Sequence, residues 1–159
     1  MPTDIKTEKI EAYKTLVAQI ESLIEGETNE TAVLANVSAA MASTFTKWLW
    51  TGFYLVRDGE LLVGPFQGPV ACYHIKKGRG VCGSSWEKEE TIVVPDVEQF
   101  PGHIACSSLS RSEIVVPIFN KENIVVGVLD VDSPELNTFD DVDKVYMEQI
   151  VAKIAKVLY

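Results

Sequence analysis

The order of hydrophobic periods along this chain predicts an α+β domain in which two helices precede a run of antiparallel strands and one helix closes it. Three observations carry the prediction. Apolar residues recur at helical spacing in the first third and again at the end. Short runs rich in Val and Ile, separated by tight-turn residues, fill the middle. The 159 residues contain no repeat, low-complexity tract or Pro/Gly/Ser-rich linker, so a single domain over 1–159 is expected.

In the first helix, predicted over 7–25, Ile10, Tyr13, Leu16, Ile20, Leu23 and Ile24 share a stripe, and Gly26 is placed to end it. Asn29 or Thr31 caps a second helix through 46, with Val33, Leu34, Val37, Met41 and Phe45 on one face. Helices thus occupy about 4–46. From Trp48 the period changes. Segments 48–56 and 60–66 flank Arg57-Asp58-Gly59, and Asp-Gly is a strong hairpin signal. Further strands are predicted at 91–94, 113–119 and 124–132, the last two joined by a tight turn over 120–123. The sheet and any pocket on it therefore lie within about 48–133. Thr138 or Asp140 opens the closing helix, about 139–159, whose stripe is Val142, Val145, Tyr146, Ile150, Ile154 and Leu158. The strand from Trp50 is apolar on both faces: Trp50, Tyr54 and Val56 on one, Phe53 and Leu55 on the other. Such a sheet is covered on both sides, by helices on one and by loops over a pocket on the other.

Composition narrows the function. A hydrophobic fraction of 47% with 23% charged residues is that of an ordinary soluble domain. A net charge of −9 argues against nucleic-acid or anionic-membrane partners, which need a basic surface. The basic run Lys76-Lys77-Gly78-Arg79 could still meet an anion, but a solvated turn is the favoured reading. The polar N-terminus carries no secretory pattern, and no apolar stretch reaches the roughly 18–20 residues of a membrane span, so a cytoplasmic location is expected. Three cysteines cannot all pair within one chain, which disfavours a secreted disulfide scaffold.

The strand at 124–132 is the most informative. With period-two alternation Ile124, Val126, Val128, Asp130 and Asp132 share a face, an apolar row ending in two carboxylates. Burying them unpaired is costly, and the bland alternative is a strand running out into solvent at Asp130. Glu113, however, starts the preceding strand of the hairpin, at the same sheet end and shortly after Cys106. Three converging acids raise one another's pKa, and a carboxylic acid kept protonated can donate a proton.

Cys72, Cys82 and Cys106 form no Cys-x-x-Cys pair, so neither a thioredoxin-type dithiol nor a zinc knuckle is encoded locally. His74 and His103 could join the cysteines as zinc ligands, as in a zinc-binding regulator, but their irregular spacing makes this a weak reading. Cys82 sits where a loop enters a helix. It is either a thiol whose pKa the helix N-terminus lowers or a small buried apolar residue. Cys106 lies among small polar residues in the long connection 96–112, where binding loops are found, and is the better nucleophile candidate. Trp50 and Tyr54 line a small pocket or belong to the core; the residues alone favour the core.

A family resemblance adds to this reading. Trp-Thr-Gly-Phe-Tyr at 50–54, Gly-Pro-Phe-Gln-Gly at 64–68 and Gly-x-Gly-Val-Cys-Gly at 78–83 resemble the free methionine-R-sulfoxide reductases, which are single GAF-domain enzymes. So do Phe-Pro-Gly-His-Ile-Ala-Cys at 100–106, Ser-Glu-Ile-Val-Val-Pro at 112–117 and Gly-Val-Leu-Asp-Val-Asp-Ser at 127–133. The resemblance implies a GAF-like six-stranded antiparallel sheet flanked by helices, a pocket on one face, and a homodimer. It implies that Cys106 is the catalytic cysteine and that Cys72 and Cys82 serve in resolving and recycling, with Cys72 the principal resolving thiol. Trp50 and Tyr54 match pocket aromatics near the substrate methyl group; Glu113, Asp130 and Asp132 match the substrate-binding pocket acids. Ser107 departs from the pattern, which often has Asp directly after the catalytic cysteine. The implied activity is reduction of free L-methionine-(R)-S-oxide through a cysteine sulfenic acid and an intramolecular disulfide. An external dithiol such as thioredoxin would reopen that disulfide, with no metal, flavin or nucleotide cofactor. The alternative is a non-catalytic GAF sensor for a small ligand, which the fold alone allows.

Overall fold

The computed structural model describes residues 4–103, 106 and 108–159; Ser107 is among those outside it. Helix α1 (Ile5–Ile24) starts at Asp4, whose side chain accepts the Lys6 N–H, and buries Tyr13, Leu16, Ile20 and Ile24. Leu23 falls at the edge of this stripe and stays 43% exposed. Helix α2 (Glu30–Thr44) is capped by Asn29, which accepts the Ala32 N–H, so Asn29 and not Thr31 opens it. There follow β1 (Trp50–Arg57), β2 (Glu60–Gln67), β3 (His74–Ile75), α3 (Gly80–Lys88) and β4 (Ile92–Val94). A 3-10 turn (Val97–Gln99), β5 (Ser112–Phe119), β6 (Val125–Ser133) and α4 (Asp141–Leu158) complete the chain. Asp140 opens α4 through a capping box with Asp143. In α4, Met147 and Val151 take buried places, and Val145, expected inside, is 50% exposed.

The strands form one antiparallel sheet in the order β3-β2-β1-β6-β5-β4. Its centre is the pairing of β1 with β6, so the sheet closes only when the ends of the strand region meet. Asp58 and Gly59 both have positive φ, the conformation that a tight two-residue hairpin between β1 and β2 requires.

Each face of the sheet carries its own apolar layer, as the two-sided hydrophobicity of β1 predicts. Phe53, Leu55, Ile114, Val116, Ile118, Leu129 and Val131 pack beneath α1, α2 and α4. Trp50, Tyr54, Val115, Val125 and Val128 pack against Val81, Cys82 and Trp86 of α3. Burying these side chains on both faces is the main favourable contribution to folding, at about 25 cal/mol per Å² of apolar surface.

Strict alternation along 124–132 fails at one point. Ile118 pairs with Gly127 but Phe119 pairs with Val125, so Val126 is the extra residue of a bulge. Val126 therefore packs with the helical layer, Val125 takes its place on the α3 side, and Ile124 lies before the strand, 60% exposed. Beyond the bulge Val128, Asp130 and Asp132 keep the common face predicted for them. A second bulge lies in β2, where Gly52 pairs with Phe66 and Tyr54 with Val63. Pro65, which lacks an N–H, falls there, a position where proline is tolerated in a sheet.

Helix α3 is held to the sheet layer by the turn before it. Gly78 N–H bonds to the Gly83 carbonyl at 2.9 Å, and a Cβ on Gly83 would stand 2.5 Å from the Lys76 carbonyl oxygen. That neighbour is backbone and cannot swing aside. Gly83→Ala is expected to cost about 1–3 kcal/mol of unfolding free energy, as other overpacked sites do; urea denaturation of the two proteins measures it.

Candidate active site

The acids are brought together by strand register alone. Glu113 on β5 pairs directly with Asp132 on β6, and Asp130 pairs with Val115. Across the other edge of β6, Trp50 pairs with Asp132 and Gly52 with Asp130. Glu113 alternates with Ile114, which points into the helical layer, so its carboxyl faces α3. Glu113 and Asp130 are each 6% exposed, which rules out a strand end running into solvent.

Three carboxyls in one buried place cannot all ionise. Burial, then the charges of Asp130 and Asp132, hold the Glu113 carboxyl well above the usual carboxylate range. Burial and the Asp130 charge do the same to Asp132, against a 2.9 Å hydrogen bond that its Oδ1 accepts from the Ser110 hydroxyl. Burial also raises Asp130, but hydrogen bonds from Glu113 and Cys82 favour its ionised form. The set titrates as one coupled group in which Asp130 accepts from Glu113 and Cys82.

Cys82 lies in the first turn of α3 and is buried against this cluster. Burial first, then the charges of Asp130, Glu113 and Asp132, push its thiol well above the ordinary value. The expectation that the helix N-terminus lowers this pKa is therefore corrected: desolvation and neighbouring acids outweigh the helix dipole. Cys82 is the free thiol, because Cys72 and Cys106 are joined in a disulfide with Cα atoms 5.5 Å apart.

The disulfide closes one side of a cavity of about 60 Å³ that the acids, Trp50, Tyr54 and Cys82 also line. At roughly 10–15 Å³ per water, that is room for a few waters or a compact guest. The two aromatics anchor the connection that carries Cys72. Trp50 Nε1–H donates to the Pro69 carbonyl and the Tyr54 hydroxyl donates to the Cys72 carbonyl, both at 3.1 Å. Trp50 stacks between Phe66 and Tyr54, with ring centroids 4.9 and 5.7 Å away. They are core and pocket wall at once, so neither sequence alternative was complete.

Among the polar residues that line the cavity, three are not site residues predicted from the sequence: Arg79, His103 and Ser110. Arg79 was taken for part of a solvated turn, yet it is the residue from which α3 starts and it reaches the cavity rim. Its place next to the Gly-rich helix entry was the available signal. His103 Nε2 stands 3.9 Å from Glu113 Oε1, and burial lowers the imidazole pKa.

The chain's relatives share this architecture. A family model described as GAF domain matches residues 27–158. GAF domain-containing protein A of Dictyostelium discoideum is 57% identical, covering 92% of each chain. The free methionine-R-sulfoxide reductase of Escherichia coli is 45% identical over 94% of this chain and 90% of its own. The X-ray structure of the Neisseria meningitidis free methionine-R-sulfoxide reductase in complex with its substrate superposes with a TM-score of 0.91 at 46% identity, over 99% of this chain and 92% of that one. The chain belongs to the GAF-domain family, among the free methionine-R-sulfoxide reductases. No helix among its described residues is long and apolar enough to cross a membrane.

Burying the acids has a stability signature. The folded pKa of Glu113 lies above its ordinary 4.5, so its contribution to stability is complete below that pH and is lost as pH rises through the folded value. Unfolding free energy should therefore decline from pH 5 upward, and decline less steeply in Glu113→Gln, which cannot ionise. Urea denaturation across pH, with the Gln variant gaining on the parent as pH rises, is the expected result. The buried Cys82 thiol should likewise resist iodoacetamide in the folded, disulfide-bonded chain at neutral pH and react at once after denaturation.

Proposed function

We propose that this chain reduces free L-methionine-(R)-S-oxide to methionine. The supporting observation is a cavity that Cys106 of the Cys72–Cys106 disulfide lines together with Glu113, Asp130 and Asp132, carboxyls that burial holds above the usual carboxylate range. In the reduced chain the Cys106 thiolate attacks the sulfoxide sulfur while an acid of the Glu113, Asp130 and Asp132 set gives its proton to the oxygen. The oxygen then passes from the substrate sulfur to Cys106. The bond between the two sulfurs and the substrate S–O bond break, an S–O bond to Cys106 forms, and methionine leaves with the electron pair from a Cys106 sulfenic acid. The Cys72 thiol displaces that oxygen as water and forms the disulfide. An external dithiol such as thioredoxin reopens it by exchange and is itself oxidised to a disulfide. The balance closes: sulfoxide and dithiol give thioether, disulfide and water, with no further cofactor.

The free amino acid suits the cavity. Asp130, whose ionised form the hydrogen bonds from Glu113 and Cys82 favour, matches an ammonium group, and Arg79 with the N–H groups at the start of α3 matches a carboxylate. Trp50 and Tyr54 offer an apolar wall to the S-methyl end. A substrate blocked at both termini would leave these polar groups unpaired. The expected setting is the cytoplasm, where a disulfide opened at each turnover meets a reducing pool, and the expected state is a homodimer.

The decisive measurement is dithiothreitol- and thioredoxin-dependent reduction of free methionine sulfoxide, resolved by epimer. The R-epimer should be consumed, and N-acetylated, C-amidated substrate should not; comparable rates on both would refute the pocket reading. Cys106→Ser should abolish turnover. Cys72→Ser should consume one equivalent of substrate and then stall, and a Cys82–Cys106 bond after a single turnover of the parent chain would show that Cys72 is not the principal resolving thiol. Glu113→Gln, Asp130→Asn and Asp132→Asn, made separately, test the acid step. Loss of the proton donor should slow single-turnover oxidation of Cys106 roughly a hundredfold, and three near-normal rates would sink that step.

A further inference from the structure

Cys82 has neighbours that a merely space-filling cysteine does not need. Its sulfur and one carboxylate oxygen each from Glu113 and Asp130 all lie within 4.8 Å of one another, and all three residues are buried. Asp130 Oδ1 is shut off from solvent, belongs to a residue lining the cavity, and has no hydrogen-bond partner among the described residues. A buried acceptor left unfilled calls for a ligand, because native structures satisfy such atoms. His103 adds an imidazole, with Nε2 3.9 Å from Glu113 Oε1.

Sulfur, carboxylate and imidazole together are a donor set for a borderline cation. Mg²⁺ and Ca²⁺ prefer oxygen alone, whereas Zn²⁺ takes S, N and O in tetrahedral array. Bond lengths of about 2.3 Å to sulfur and about 2.1 Å to oxygen place tetrahedral neighbours roughly 3.5 Å apart. Cys82, Glu113 and Asp130 close on an ion by side-chain rotation, with His103 approaching from beside Glu113. We propose that the cavity is a reversible Zn²⁺ site in which Cys82, Glu113 and Asp130 are ligands and His103 fills the fourth position. Binding is ligand exchange without electron transfer. The Cys82 thiol and any protonated carboxyl ligand release their protons to solvent, and Zn²⁺ takes up the unfilled Asp130 oxygen. Because the same cavity is read as the substrate pocket, the ion excludes the sulfoxide and acts as a competitive inhibitor. That second consequence rests on the proposed reductase function; the ion site itself does not.

The oxidised chain gives a clean test, since with Cys72 and Cys106 in their disulfide Cys82 is the free thiol. Titration with Co²⁺ as a Zn²⁺ surrogate is expected to give one ion per chain and a thiolate-to-cobalt charge-transfer band, abolished by added Zn²⁺. The band should be absent in Cys82→Ser, and Zn²⁺ affinity should fall at least tenfold in Asp130→Asn, with thermal melts reporting whether each variant is folded. If Cys82→Ser fails to fold, the Asp130→Asn affinity and the band in the parent chain still decide. No saturable charge-transfer band in the parent, or undiminished Zn²⁺ affinity in folded variants, overturns the site. In the reduced chain Zn²⁺ should raise the apparent KM for free methionine sulfoxide and leave kcat unchanged. A thiolate-bound ion that the sulfoxide does not displace would support the ion site and count against the cavity as the substrate pocket.

Discussion

Everything distinctive in this domain depends on the burial of three carboxyls against one another at the end of the β5–β6 pair. Such a set is costly to fold, and it persists because the surrounding structure leaves no alternative. The register that makes Glu113 face Asp132 is the register that sends Ile114, Val116, Leu129 and Val131 into the helical layer. A slip of one residue would turn the acids toward the helices and the apolar residues toward α3. The helical face thus enforces the arrangement of the other face. The acids relieve their mutual repulsion by holding protons, so their chemistry follows from their confinement.

The two faces divide the work. Helices α1, α2 and α4 cover one side with a continuous apolar layer, tied at one end by the buried Asp143, which accepts hydrogen bonds from Tyr13 and Lys9. The other side is covered by the short helix α3 and by connections, and it is there that the cavity opens. Connections satisfy their backbone groups individually, through bonds such as Trp50 to Pro69 and Tyr54 to Cys72. Rigid strands therefore supply the acids, and side-chain-anchored connections supply the sulfurs.

What the sequence disclosed follows from where the signal is local. Helical stripes, the Asp58-Gly59 turn and the apolar faces of β1 are properties of adjacent residues, and they place α1, α2, α4 and the β1–β2 hairpin. The six strands and the family came from motifs in order. The bulge at Val126 was invisible because period two carries no mark of an inserted residue, and only the pairing with β5 reveals it. The two-residue β3 is too short to show a period at all. Of the two alternatives the sequence leaves for Cys82, the buried one holds: the helix N-terminus is a local signal, whereas the desolvation, Asp130 and Glu113 that raise its pKa come from the packing of distant strands. Arg79 looked like one more charge in a solvated turn until α3 was seen to start from it.

Under the proposed reaction the acidic wall has to serve two opposed needs. A sulfur nucleophile works as the thiolate, and burial and nearby negative charge both disfavour that form, as they do for Cys82 in the same cavity. A wall of ionised carboxylates would therefore suppress the attack it is meant to assist. A wall that keeps its protons removes the conflict, since neutral acids do not repel the Cys106 thiolate and can still donate to the developing oxyanion. When one proton has gone to the oxygen, the new carboxylate raises the affinity of the remaining acids for theirs, because the set titrates as a unit. Confinement of three acids where one would suffice as a donor thus has a physical use: it keeps a proton available close to a thiolate at a pH where a solitary, solvated carboxyl would have none.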